Sequence, residues 1–239
     1  MDKTVPAGAA LLLDFIYRTD AGKAPPDCYQ VIFGNRQNRL AKPITKMTLG
    51  DLVDAQKNWS SKAWVKANWG YTTASSAAGA AQFMRATLQD LAKELGLKGT
   101  QIFDANFQDR LAFHLLKRRG YEDFMAGKIS RTEFGKRLAQ EWASFPVLAA
   151  VQGGHRKLKR GESYYAGDEL NKALVKPETV EALLDKVKVA GNAVAPPPNA
   201  PSDNAEAPST PGTAVSPTAT TSFWADFFKA ILSFFGKGK

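Results

Sequence analysis

A chain of 239 residues with 44% apolar and 23% charged side chains has enough material for one sizeable core and an appendage, and it excludes a wholly disordered or fibrous protein. Its formal charge of +9 suits a polyanionic neighbour, whether nucleic acid, cell-wall polymer or anionic lipid. A single cysteine, Cys28, rules out an intramolecular disulfide and a thiolate zinc site, and two histidines give little basis for a His-dependent triad or metal centre.

The first element is a helix over Leu11–Gly22. Leu12, Phe15, Ile16 and Thr19 recur at i, i+3, i+4 and i+7, the spacing of a core-facing stripe, and Gly22 with Pro25 and Pro26 stops it. The helix ends on a carboxylate, Asp20. The carbonyl end of a helix carries partial negative charge, which disfavours ionisation there and suits a general acid. A solvated loop aspartate is the plainer reading of the same residue.

In the following run, Tyr29, Val31 and Phe33 alternate with smaller or polar neighbours. This predicts a strand, with 38–48 as the return arm of a small N-terminal β hairpin. Thr48 and Asp51 form a capping box that opens the next helix. Trp59, Trp64 and Trp69 follow closely, as core packing or as a sugar-stacking platform. The small-residue stretch 72–81 permits close backbone approach to a ligand or a neighbouring element, and leads through Gln82 into a helix ending near Gly96.

From Thr100 the pattern is helical. Asp104 is an N-cap before Phe107, Leu111, Leu115 and Leu116. Tyr121–Ala126 is one turn, and Ser130 and Glu133 begin a helix that runs to Pro146. His114 packs within the first of these helices. His155–Arg160 is the densest basic run, either a solvated loop or a contact for an anionic polymer. A last helix starts at Pro177 and ends near Gly191. No phosphate loop, nucleotide motif or internal repeat is present, and the N-terminus does not read as a signal peptide.

Residues 191–222 hold seven of the thirteen prolines among Ala, Ser and Thr, the composition of a flexible linker. The tail's three acids and three lysines cancel, so the +9 rests on residues 1–190. At 100° per residue, Phe223, Trp224, Phe227, Phe228, Ile231, Leu232, Phe234 and Phe235 share one half of a helical wheel, opposite Asp226, Lys229 and Ser233. Two mid-segment charges in about 17 residues fit an interfacial amphipathic helix better than a span, which needs roughly 20 apolar residues.

Three passages of the chain resemble the lambda-phage-type endolysins, lysozyme-like enzymes that cleave the glycan strand of peptidoglycan. In Leu13–Asp20, counting six residues from Asp14 reaches Asp20, where that family has its catalytic Glu. Ser75–Phe83, Ser-Ser-Ala-Ala-Gly-Ala-Ala-Gln-Phe, is similar to the family's cleft motif Ser-Ser-Ala-Ala-Gly-Arg-Tyr-Gln-Phe. Glu141–Pro146 matches a Trp-Ala-Ser-Leu-Pro pattern. Two departures stand out: Asp for Glu at position 20, and Ala80–Ala81 for Arg-Tyr.

The resemblance implies an α+β, mainly α, lysozyme-like domain over 1–190, followed by the linker and the tail helix over 223–239. It implies cleavage of the MurNAc–GlcNAc bond by transglycosylation or hydrolysis. Asp20 would be the catalytic acid and base, and Ser75, Ser76, Gly79, Gln82 and Phe83 would be substrate-binding, with Ser76 and Gln82 orienting the N-acetyl group. No cofactor or metal is called for. The expected partners are peptidoglycan and, through the tail, a lipid surface; nucleic acid is not expected, and the chain should be a monomer made in the host cytoplasm that acts on the periplasmic wall, as a membrane-associated or virion-associated enzyme. The same resemblance also fits a catalytically silent wall-binding or virion structural protein.

Overall fold

A computed structural model describes residues 1–168 and 171–193, which fall in one compact unit. The expected linker over 191–222 begins inside the last helix, which runs to Asn192, and its residues 194–222 and the amphipathic helix over 223–239 lie outside the described residues.

Among the described residues there are eight α-helices: α1 Ala7–Asp20, α2 Leu49–Trp59, α3 Lys62–Trp69, α4 Arg85–Glu94, α5 Ala105–Arg118, α6 Tyr121–Met125, α7 Arg131–Glu141 and α8 Pro177–Asn192. Most start where their capping residues dictate. Thr48 Oγ1 accepts from Asp51 N, and the Asp51 carboxylate in turn accepts from Thr48 N. The Asp104 and Ser130 side chains accept from Phe107 N and Glu133 N. The helix foreseen after the small-residue stretch begins only at Arg85, and α8 runs past the expected end at Gly191.

Helix α1 is the central strut. Leu12, Leu13 and Ile16 are fully buried, each such side chain stabilising by about 1.5–3 kcal/mol relative to exposure. It packs mainly on α8 and also on α5. At Gly8 a Cβ would stand 2.6 Å from the Val187 carbonyl oxygen, so glycine sets how closely α1 and α8 approach.

The sheet is not where the alternation placed it. The only named strands among the described residues are β1 Val151–Gln152 and β2 Lys157–Leu158, an antiparallel pair. In place of an N-terminal hairpin stand four 3-10 turns, at Asp27–Gln30, Phe33–Asn35, Gln37–Arg39 and Ile44–Lys46. The cause is competition for backbone hydrogen bonds. Val31 O accepts from Gly79 N at 2.7 Å and Phe33 N donates to Ala77 O at 3.0 Å. The intended return arm bonds elsewhere, with Leu49 N on Gln101 O and Phe103 N on Met47 O. Each arm therefore pairs with a distant segment. Left-handed Gly34 and Asn35, at φ 71° and 56°, turn the chain away directly after the first arm.

Candidate active site

Asp20 is the final residue of α1, and only part of its surface is exposed. Its Oδ2 is buried without a hydrogen-bond partner. The nearest basic residue on the helix, Arg18, is engaged by Asp14 at 2.8 Å. Burial therefore acts on Asp20 without a compensating cation and pushes its carboxyl up to about 7, with the Ser144 hydroxyl pulling weakly the other way. A carboxyl poised there can hold a proton at neutral pH and return to it after giving it up.

Ser144 is itself 5% exposed, and its Oγ meets no partner within hydrogen-bond geometry. It is held by its backbone, its carbonyl accepting from Leu174 N at 2.7 Å, and by its neighbour Phe145, whose ring meets Phe15 edge-on at 5.9 Å. Two residues earlier, the Trp142 indole N–H donates to Ala81 O at 3.3 Å. The strap 142–146 thus packs on α1 through Phe145 and bonds the Ser75–Phe83 loop through Trp142, and so links two of the predicted passages.

The loop is closed by reciprocal bonds between Ala78 and Phe83, at 3.1 and 2.8 Å. Gly79 sits at φ 77°, and a Cβ there would fall 2.3 Å from Gln108 Oε1. Ser75 Oγ accepts from Ala77 N, and Ser76 Oγ accepts from Arg85 N at 3.0 Å, which caps α4. Gln82, left-handed at φ 49°, donates from its amide to Gly79 O at 2.8 Å and stays half-buried. Phe83 is 2% exposed and backs the loop against Phe103. Ala80 and Ala81 are buried as well, so the Arg-Tyr of the similar motif has no counterpart reaching outward here.

Sequence reasoning missed the residues that fix this loop. Gln108 is fully buried; its Oε1 accepts from Ala80 N, and its amide donates to Tyr29 O and Phe103 O. Gln56, also fully buried, donates to Ser76 O and Phe83 O. The available signal was a glutamine on the apolar face of each helix. A polar residue in such a stripe must find partners inside the protein.

Other candidates resolve into pairs. His114 Nε2 lies 2.8 Å from Glu94 Oε1. Within the basic run, Arg156 pairs with Glu162, and Arg160 with Glu178 and Glu181. Among the described residues no three His, Cys, Asp or Glu side chains are arranged to hold a metal ion. No helix there is long and apolar enough to cross a membrane.

No curated protein and no solved structure matches the chain. A family model described as Endolysin matches residues 17–167, a span that holds Asp20, the 75–83 loop and the 142–146 strap. With well over half of its length matched, the chain belongs to the endolysin family, phage lysis enzymes that act on the bacterial cell wall.

Proposed function

We propose that the protein cleaves the MurNAc–GlcNAc glycosidic bond of peptidoglycan, with Asp20 as the single acid and base. The observation that carries this reading is the buried Asp20 carboxyl at about 7 at the end of α1, in a chain whose 75–83 loop is similar to a glycan-cleft motif. The glycosidic oxygen is a poor leaving group until protonated. Asp20 gives it a proton as the C1–O bond breaks and the ring takes on oxocarbenium character. The Asp20 carboxylate then accepts the proton of the muramic 6-hydroxyl as that oxygen closes on C1, leaving a 1,6-anhydro end. Water attacking in its place would give a reducing end.

The intramolecular route needs no second carboxylate to activate water. The Ser75, Ser76, Gly79, Gln82 and Phe83 loop forms the cleft wall, with the Ser76 and Gln82 side chains setting its shape beside the N-acetyl group. The tail at 223–239 holds the enzyme at a lipid surface, and the catalytic unit works as a monomer on the periplasmic side.

Digestion of purified peptidoglycan, with mass spectrometry of the fragments, tests the mechanism. Wild type should release anhydro-muropeptides, and Asp20→Asn should lower the rate by about 10²–10⁴-fold. Undiminished release by Asp20→Asn would remove Asp20 from the chemistry. Fragments with reducing ends would replace transglycosylation by hydrolysis, and no release by wild type would leave a wall-binding protein.

A further inference from the structure

Helix α3 carries an aromatic surface that the acid chemistry does not use. Trp59, at the end of α2, is 4% exposed and belongs to the core. Trp64 and Trp69 are half-buried at the surface, their rings edge-to-face at 5.2 Å, with Trp69 backed by Trp59 at 6.3 Å. Left-handed Gly70, at φ 77°, ends α3 and sends the chain into Tyr71, which is 38% exposed. The Arg36 guanidinium stacks on Tyr71 at 4.1 Å and donates to Thr73 through both terminal nitrogens. Two residues further on, Ser75 begins the cleft loop. The chain therefore leads from the Trp64–Trp69 pair through Gly70 and the Arg36-stacked Tyr71 directly to that loop.

We infer that Trp64, Trp69 and Tyr71 form a second carbohydrate-binding surface that holds the glycan strand of peptidoglycan beyond the bond being cut. This inference rests on the proposed cleavage of that polymer. Flat apolar rings with a polar edge suit the axial C–H faces of sugar rings, and their low rotamer freedom keeps the ordering cost of binding small. Charge also selects this occupant. Lys62 and Lys66 on α3 and Arg39 opposite Tyr71 are exposed cations, and the peptide stems of peptidoglycan carry free carboxylates. Packing alone would explain Trp59, but it leaves the exposed portions of Trp64, Trp69 and Tyr71 without a function.

The test uses the full chain carrying Asp20→Asn, so that binding is read without turnover and independently of how the bond is cut. Co-sedimentation with purified peptidoglycan sacculi should weaken roughly three- to tenfold in Trp64→Ala and again in Trp69→Ala, with recovery in Trp64→Phe. In the active enzyme, Trp64→Ala should raise KM on sacculi with kcat kept, and leave the cleavage of a short soluble muropeptide dimer unchanged. Sacculus binding that is unaffected by Trp64→Ala while the melting temperature falls would assign the cluster to packing and overturn the inference. Equal losses on sacculi and on the short substrate would also overturn it, because the residues would then act at the cleavage site. If Asp20→Asn remains fully active yet the tryptophan variants lose sacculi, the acid assignment fails and the binding surface stands.

Discussion

At the scale of single residues, the site depends on one carboxyl kept without a cation. The Asp20 carboxyl at about 7 lies above the ordinary value of 3.8, so burial favours its protonated form in the folded protein. Between those values the unfolded chain has released the proton that the folded one retains. Stability from this group is therefore complete below about pH 4 and is lost as pH rises through 7. Replacing the acid by its neutral isostere removes this penalty. Asp20→Asn should be more stable than wild type by about 2–4 kcal/mol at pH 8 and equal to it near pH 4, in denaturant titrations at both values. Ser144 works in the opposite direction by easing ionisation. In Ser144→Ala the alkaline limb of the pH–rate profile should move to higher pH, whereas a purely structural loss would lower the rate at every pH alike.

At the scale of elements, the 75–83 loop shows how a cleft wall is made rigid without regular structure. Its carbonyls and amides are claimed by Gln56, Gln108 and Trp142, side chains of two helices and the strap, and by the Val31 carbonyl. The loop closes on Gln108 only because residue 79 has no side chain and takes a positive φ. Gly79→Ala should cost about 2–4 kcal/mol in thermal or denaturant unfolding, from the strained φ together with overpacking against Gln108. The small residues of this stretch were legible in the sequence as a place of close approach. What approached was a glutamine from α5, and no local pattern in the loop names it.

At the scale of the molecule, the buried carboxylate of Asp109 gathers the N-terminal half. It accepts from Tyr17 and Tyr29, each at 2.9 Å, and from Asp2 N at 2.7 Å, so α1, the first 3-10 turn and α5 meet at one charge. Burial and the neighbouring Asp109 charge hold the Tyr29 phenol well above its ordinary range. This junction holds α1 at Tyr17, one turn before Asp20, and so sets the position of the acid. The positive charge is partly consumed within the fold, since Arg110, Arg119, Arg131, Arg156 and Arg160 all face carboxylates. Within the basic run at 155–160 the two arginines brace the fold, while His155, Lys157 and Lys159 stay exposed. For the tail, co-sedimentation with anionic liposomes should fall by about tenfold or more when residues 223–239 are deleted. Equal retention of both proteins would exclude a membrane role for that segment.

The sequence by itself determined the core stripe and terminal acid of α1, though not its start at Ala7, the capped starts of α2, α5 and α7, and the motifs that mark the family. These follow from side-chain periodicity and from bonds between residues three or four apart, so the information is local. Only the tertiary structure decided that 29–48 forms turns and not a hairpin, because its backbone groups find better-placed partners at 77–79 and 101–103. It also decided that Phe145 and Trp142 tie α1 to the loop, and that Trp64 and Trp69 keep part of their surface exposed while Trp59 does not. Which of several capable partners a buried polar group or an aromatic ring meets is settled by the packing of distant segments, and no spacing within one segment carries that choice.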